Sequence, residues 1–321
     1  MSLFSSWIAS PPPDAAIEIA TDRVAVALAT DRGGSLVVQS FAAEPLPAGA
    51  VTPSLTASNI HNRAAVVAAL RTALDRGGIR PRRVALVIPD LAAKVSLVRF
   101  DTLPARREDL DQLVRWQVKK AAPFPIEEAV VTYAPAARST AGGAEFVVLT
   151  ARRDVIAEYE GICEDLKIYA GLVDLATLSV VNLFLGTAPV PSVDWLVVHM
   201  RPDYTSIVIM RGEHVIFFRN RPEGDEATIA DLVHQTAMYY QDRLSGERFS
   251  RVLLGGGGRV AGALETARRS LEERLGVEVE PIDATQAAAL TDRIKITPDV
   301  MDILSPLVGM AVRTRKESAA A

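Results

Sequence analysis

Apolar and polar positions alternate with a period of two across the first stretch of clear pattern. Ile17 and Ile19, then Val24, Val26 and Leu28, are the apolar members, and Asp31-Arg32-Gly33-Gly34 interrupts the run before LVVQSF. Alternation broken by a glycine pair predicts a β-hairpin. The period then lengthens to that of a helix in NRAAVVAALRTALDRGG, where Val66, Leu70, Ala73 and Leu74 share a face and Gly77 supplies the stop. RVALVIPD follows as a strand closed by Pro89, so the chain opens as an α/β unit.

The middle has a different grain. VSLVRF predicts a strand, EDLDQLVRWQVKKAA a helix, AAPFPIEE a proline-flanked break, and VVTYAP with AEFVVLTA a strand pair around ARSTAGG. With the helix RDVIAEYEGICEDLKI, these elements predict an inserted α+β module over residues 91–172. The opening pattern then returns: WLVVHM, TSIVIMRG and EHVIFFRN are three short strands. A long helix from about Glu226 to Leu244, the strand RVLL, a helix to Leu275 and the strand VEVEP come after them. Hairpin, helix and strand recur without repeated sequence, which predicts a topological repeat and two lobes around a cleft.

Composition narrows the classes. The 321 residues are 49% hydrophobic, enough for about two domains with full cores. A net charge of −4 with mixed signs gives no basic face for nucleic acid. Cys163 is the only cysteine, which excludes a disulfide framework and a multi-thiolate metal site. His61, His199, His214 and His234 show no metal-ligand spacing, and no G-x-S-x-G hydrolase motif occurs. No run reaches the roughly 18–20 apolar residues of a membrane helix, so a cytoplasmic protein is expected. Leu3, Phe4, Trp7 and Ile8 would share one face of a short helix ahead of three prolines, either as a membrane-surface anchor or as a tail.

The run RVLLGGGGRV raises the sharpest question of chemistry. Four consecutive glycines cost stability wherever a regular element could form, so something must approach the backbone closely. Three readings stay open. Gly256, Gly258 and Ala261 fit G-x-G-x-x-A, with Glu278 or Glu280 ending the next strand, as in a dinucleotide (NAD) enzyme. A tight packing turn is the second reading. The third is a nucleoside lying against Gly255, Gly256, Gly257 and Gly258 in a cleft, which would require phosphate-binding loops elsewhere.

TLPARREDLDQLVRWQVKKAAPFPIEEAVVTYAP, EFVVLTARRDVIAEYEGICEDLKIYAGLVDLATLSVVNLF, RVLLGGGGRVAG and ILSPLVGMAVR resemble, in that order, the type IV pilus assembly protein PilM family, relatives of the cell-division protein FtsA. The helix running into Pro123-Phe124-Pro125, then Glu127, Glu128 and a strand with Tyr133, is the most diagnostic piece. The resemblance implies a two-lobed actin-like ATPase fold. Residues 14–90, completed by 173–190, would form the first lobe, 91–172 the inserted module, and 191–315 the second lobe. It also implies a cytoplasmic protein peripheral to the inner membrane, in a pilus or type II secretion-like platform. Its partner would be a short N-terminal peptide of a PilN-like membrane protein, with a second copy of the chain as another partner class. The peptide's groove beside the module would use Leu110, Leu113, Trp116 and Phe124.

ATP and Mg²⁺ are the cofactors that the resemblance implies, held by one hairpin turn per lobe. Where the family reads Gly-Leu-Asp-Ile-Gly-Ser-Ser, this chain has Ala16-Ile17-Glu18-Ile19-Ala20-Thr21-Asp22, and Ala25 stands where lysine is common. The second turn has His199-Met200-Arg201-Pro202 in place of Asp-Ile-Gly, and the expected ribose carboxylate aligns with Leu232, beside Asp231. Glu18, Thr21 and Asp22 remain candidate nucleotide contacts, and Arg201 and Thr205 candidate phosphate donors. Phosphoryl transfer needs positioning and metal charge, so hydrolysis is expected to be weakened or lost, with an active ATPase as the alternative.

Overall fold

A computed structural model describes residues 13–136, 143–186, 193–223, 229–256 and 262–320. Leu3, Phe4, Trp7, Ile8, Gly257, Gly258 and Ala261 lie outside the described residues.

The alternating stretch forms a three-strand meander: β1 (Ala15–Ile19), β2 (Arg23–Arg32) and β3 (Ser35–Pro45). The register sets Glu18 opposite Ala25 and Ile17 opposite Val26. The helix α1 (Arg63–Gly77) begins where the Asn62 side chain accepts from the Ala65 N–H, and it closes on Gly78 in the left-handed conformation, one residue past the predicted stop. β4 (Arg83–Ile88) lies parallel to β1 and is buried from Val84 to Ile88, as expected of a strand covered on both faces.

The middle builds its own small antiparallel sheet from β5 (Lys94–Phe100), β6 (Ala129–Pro135) and β7 (Ala144–Arg152), in the order β5-β7-β6, with α2 (Arg107–Lys119) packed on it. Its core is Val98, Phe100, Val114, Val118, Phe146 and Val148, with Tyr133 edge-on to Phe146 at 5.5 Å. The next helix, α3 (Arg153–Glu164), was expected in this module but packs elsewhere. Its apolar face, Val155, Tyr159, Ile162 and Cys163, joins the core of Ile17, Val66 and Leu86.

β8 (Tyr169–Leu175) extends the first sheet beside β4, and α4 (Ala176–Leu185) leads to the second half. There β9 (Trp195–Met200), β10 (Tyr204–Arg211) and β11 (His214–Pro222) repeat the meander. After α5 (Ile229–Leu244), β12 (Arg251–Gly255), α6 (Ala263–Leu275) and β13 (Val279–Pro281) complete the second sheet. The strand orders β3-β2-β1-β4-β8 and β11-β10-β9-β12-β13 coincide, with two antiparallel and two parallel neighbours in each. The topological repeat predicted from the hydrophobic pattern is present.

Beyond β13 the chain leaves the second sheet, although the expected second lobe ran to residue 315. β14 (Ala289–Leu290) pairs with β3 at the edge of the first sheet, and α7 (Pro298–Ala320) packs on β1 and β2. The reason is burial: Leu304, Leu307 and Val308 of α7 share a core with Val180 and Phe184 of α4 and with Trp195 and Val208 of the second sheet. The two helices touch so closely that a Cβ on Gly309 would stand 1.8 Å from the Ser179 carbonyl oxygen. Among the described residues, no helix is long and apolar enough to cross a membrane.

Candidate functional site

The parallel strands β1, β4 and β8 end on one side of the first sheet, and β9 ends opposite them. Strand ends of this kind gather polar groups where two α/β layers meet. The turn after β1 is tight, with the Ala20 N–H donating to the Arg23 carbonyl at 2.9 Å. The turn after β9 mirrors it, the Arg201 N–H donating to the Tyr204 carbonyl at 2.7 Å.

Between these turns lies an ion pair. Arg201 donates through Nη2 to Glu18 Oε1 at 2.8 Å, and the two side chains are 3% and 1% exposed. Arg23 Nη2 holds the other oxygen of Glu18 at 3.4 Å while its Nη1 reaches Asp22 at 3.1 Å. Thr21 Oγ1 donates to Asp203 at 3.1 Å, a second link between the turns. Burial alone would lower the Arg201 pKa. The carboxylate of Glu18, with Tyr204, Asp302 and Asp22 adding to it, leaves the pKa raised instead.

A hydrogen-bonded network backs the ion pair. The Asp90 carboxylate accepts from Ser206 Oγ at 2.6 Å and from the Thr177 N–H at 3.0 Å. The Asp90 N–H donates to Tyr204 Oη, and Asn220 Nδ2 donates to the Asp90 carbonyl, both at 3.2 Å. Burial pushes the Asp90 pKa up, against the hydrogen bonds from Ser206 and Thr177. Thr177 Oγ1 lies 2.8 Å from His199 Nδ1. Burial, then the charges of Arg201 and Arg23, hold His199 well below its ordinary pKa, so the imidazole is neutral.

A nucleotide's phosphates and Mg²⁺ would have to enter this place, and the residues do not fit them. Arg201, read from the sequence as a candidate phosphate partner, is committed to Glu18, and Thr21 is committed to Asp203. Thr205 is buried in β10 opposite Met200. The void lined by Glu18, Ala20, Thr21, Pro89, Arg201 and Asp203 has no room for a water-sized body. Arg23 Nε, Arg201 Nη1 and His199 Nε2 are buried without a hydrogen-bond partner. The carboxylate of Asp302 supplies compensating charge. Burial raises its pKa, and Arg201 and Arg23 oppose that rise. Among the described residues, no cluster of His, Cys, Asp and Glu could hold a metal ion.

The described glycines of the run face protein. A Cβ on Gly256, whose φ is +93°, would stand 1.7 Å from the Met200 carbonyl oxygen, and one on Gly255 would meet Ile282 at 2.6 Å. Gly257 and Gly258 lie outside the described residues. Leu232 is 2% exposed in the core of the second sheet, and Asp231 is paired with Arg274 at 3.1 Å. The strand–glycine–helix–strand unit sits on the far side of β9, at the end of the second sheet, rather than opening a dinucleotide domain.

The residues expected at a partner surface divide. Leu110, Leu113 and Phe124 are half-buried against the core of the small sheet. Trp116 is 57% exposed, with Lys120 Nζ 4.8 Å from its ring centre. A groove of about 540 Å³ does run between the small sheet and the first sheet. Its walls are other residues: Tyr133, Val147 and Leu149 on one side, Leu172 and Leu178 on the other, with Val312 of α7. Leu110 lines a second hollow that shares Thr132, Tyr133 and Pro135 with this groove.

Sequence reasoning missed Asp90, Thr177, Ser206 and Asn220. A signal existed for Asp90, which immediately follows Pro89 at the carboxyl end of a parallel strand. The others are ordinary polar residues, marked only by their burial.

The family model described as type IV pilus assembly protein PilM matches residues 16–245. No curated protein matches the chain. A chain of the PilM–PilN type IV pilus biogenesis complex is similar at TM-score 0.80 and 17% identity, with 95% of this chain and 99% of that one covered. The cytoplasmic domain of EpsL, an inner-membrane component of the type II secretion system of Vibrio cholerae, has TM-score 0.52 and 10% identity over 93% and 94% of the two chains. A Bacteroides thetaiotaomicron protein with actin-like ATPase fold and unknown function has TM-score 0.50 and 10% identity, over 95% and 99%. These likenesses identify an α/β fold related to the actin-like ATPases.

Proposed function

Because this chain belongs to the type IV pilus assembly protein PilM family, we propose that it is a scaffold of an inner-membrane assembly platform, working without nucleotide hydrolysis. The observation that carries the reading is the Arg201–Glu18 ion pair, which puts a guanidinium from one turn and a carboxylate from the other where phosphates and Mg²⁺ would have to sit. Hydrolysis of ATP depends on metal charge and an aligned water, and neither has a place beside this pair.

The partner is the N-terminal peptide of a PilN-like membrane protein, and it holds the scaffold on the cytoplasmic side of the inner membrane. The groove between the small sheet and the first sheet supports this: Leu149, Leu172 and Leu178 offer apolar surface along it, and Asp174, Arg313 and Lys316 line it with charge. Leu110 lines the adjoining hollow, while Leu113 and Phe124 support the helix and elbow from the small-sheet core and Trp116 is exposed on that helix. In this reading residues 91–152 carry the inserted module, and the two larger sheets form two lobes.

Titration of the purified chain with labelled ATP and Mg²⁺ tests the nucleotide half. The expected outcome is no saturable binding into the millimolar range and no turnover, whereas micromolar binding with phosphate release sinks the reading. Titration with a PilN-like peptide tests the partner half, with saturable binding expected.

A further inference from the structure

A sheet ends in strands whose outer N–H and C=O groups have no ladder partner, and such edges invite a further strand unless something blunts them. Among the described residues the three sheets have six edges, and five are blunted. β14 is two residues long and β13 three. β8 carries an extra residue at Gly171 where it pairs with β4, and β11 carries one at Ile216 opposite β10. β5 lies against β11.

β6 is the sixth edge. It ends the order β5-β7-β6 and pairs with β7 in unbroken register from Ala129 to Pro135. The Ala136 N–H donates to the Glu145 carbonyl at 2.8 Å, which sets the alternation of the ladder. Even-numbered residues therefore bond to β7, and the N–H and C=O groups of Val131 and Tyr133 point outward with the Pro135 carbonyl. Arg153 Nη2 takes the outward carbonyl of Ala129 at 3.3 Å, so the open run begins at Val131. Proline at 135 obeys the same alternation, because the N–H it lacks would have faced away from β7.

This edge separates two hollows. Thr132 and Ala134 lie on the side of the 540 Å³ groove with Val147 and Leu149, and Val131 and Tyr133 lie on the side of a 550 Å³ hollow walled by Arg107, Leu110 and Arg115 of α2. Towards the groove the walls are apolar at Leu149, Leu172 and Leu178. In the hollow, Tyr133 Oη donates to Asp111 at 2.5 Å, and Glu108 and Asp109 on the same helix are paired with Arg106. Arg107 and Arg115 form no ion pair among the described residues and offer donors to a side-chain oxygen. Outward backbone groups recurring every second residue, about 6.8 Å along the strand, are matched by another extended backbone, whose side chains would then alternate between the two hollows.

We infer that the PilN-like peptide binds as an added strand on the open edge of β6. Its apolar side chains enter the groove at alternate positions, and the side chains between them carry oxygen acceptors into the hollow beside α2. The inference rests on the partner reading above and assigns the recognition to backbone pairing at Val131 and Tyr133.

Calorimetric titration of the full chain with this peptide, and with a set in which one backbone nitrogen at a time is methylated, tests it. Methylation should weaken binding by at least about tenfold at every second residue of the bound stretch and by less than about threefold at those between, because only alternate N–H groups meet β6. Val131→Pro removes one outward N–H, leaves the β7 ladder intact, and should weaken the unmodified peptide about fivefold or more with an unchanged melting temperature. The methylated set needs no change in the protein, so it decides the matter even where Val131→Pro melts early. Saturable binding that methylation reduces evenly or not at all, or that folded Val131→Pro leaves unchanged, overturns the inference and leaves the partner reading standing. A dimer in sedimentation that Val131→Pro breaks gives the edge to a second copy and overturns it too. No binding by the unmodified peptide sinks the partner reading itself, and this inference with it.

Discussion

Arg201 and Glu18 are 183 residues apart in the chain and 2.8 Å apart in the fold, joined between the first turn of one sheet and the first turn of the other. Neither side chain has a solvent route to dissipate its charge. Removing Arg201 leaves the buried Glu18 carboxylate with only the longer 3.4 Å contact from Arg23, a loss approaching the roughly 3–5 kcal/mol of a broken buried pair. Arg201→Met should lower the urea midpoint by the corresponding amount. Adding Glu18→Gln to it should restore part of the loss, because the double variant buries no stranded carboxylate and Arg23 keeps Asp22 at 3.1 Å. Equal stability of Arg201→Met and the wild type would contradict the burial of the pair.

His199 sets a pH dependence of defined sign. Its folded pKa lies well below the ordinary value of 6.5, so below that pH the unfolded chain takes up a proton that the folded chain refuses. The stabilising contribution is complete above about pH 6.5 and is lost as the pH falls, at no more than about 1.4 kcal/mol per pH unit. Asp90 and Asp302 act oppositely. Their folded pKa values are raised, so they cost stability as the pH rises from 3.8 through those values. Urea midpoints between pH 5 and 8 should fall more steeply on acidification for the wild type than for His199→Gln.

The groove and the elbow make different demands on a peptide titration. Leu178→Glu places a charge in the apolar wall and should weaken a PilN-like peptide by at least about tenfold, the scale of a hot-spot contact. Trp116→Ala should leave affinity within about twofold. The reverse pattern would move the docking surface to the exposed side of α2.

Gly256 tests what the glycine run is for. If the backbone of Met200 is what it must clear, Gly256→Ala destabilises the unliganded protein by about 1–3 kcal/mol, visible in its melting temperature. Gly33→Ala offers the contrast: its φ is also positive, but nothing lies within 4 Å of the added Cβ. A Gly256→Ala melt no lower than that of Gly33→Ala would mean that the close approach is absent.

The local parts of the fold were legible because periodicity and turn chemistry act over a few residues. The alternation of Ile17, Ile19, Val24 and Val26 located strand residues, and Gly33-Gly34 located the turn between β2 and β3, whereas the tight turn at residues 20–22 that separates β1 from β2 carries no glycine to announce it. Thr291, by contrast, donates to the carbonyl of Gln39 across 252 positions, and no local pattern announces that β14 returns to the first sheet. The candidate site divides in the same way. Substitution of the turn glycines by Ala20 and Arg201 was visible, and it signalled a changed phosphate place. That Arg201 finds Glu18 was not visible, since a lone arginine reads equally as an anion ligand. Leu110 and Phe124 were conspicuous as apolar residues near prolines, but only the packing of the small sheet distinguishes a half-buried support from a groove wall.

A latch made from two side chains cannot be washed out, exchanged or starved. A lobe closure held by bound ATP follows the energy charge of the cell, loosening when nucleotide runs low. The Arg201–Glu18 pair keeps its geometry through feast and famine alike, and under the proposed scaffold reading the work of an assembly built on it would be fuelled by some other subunit.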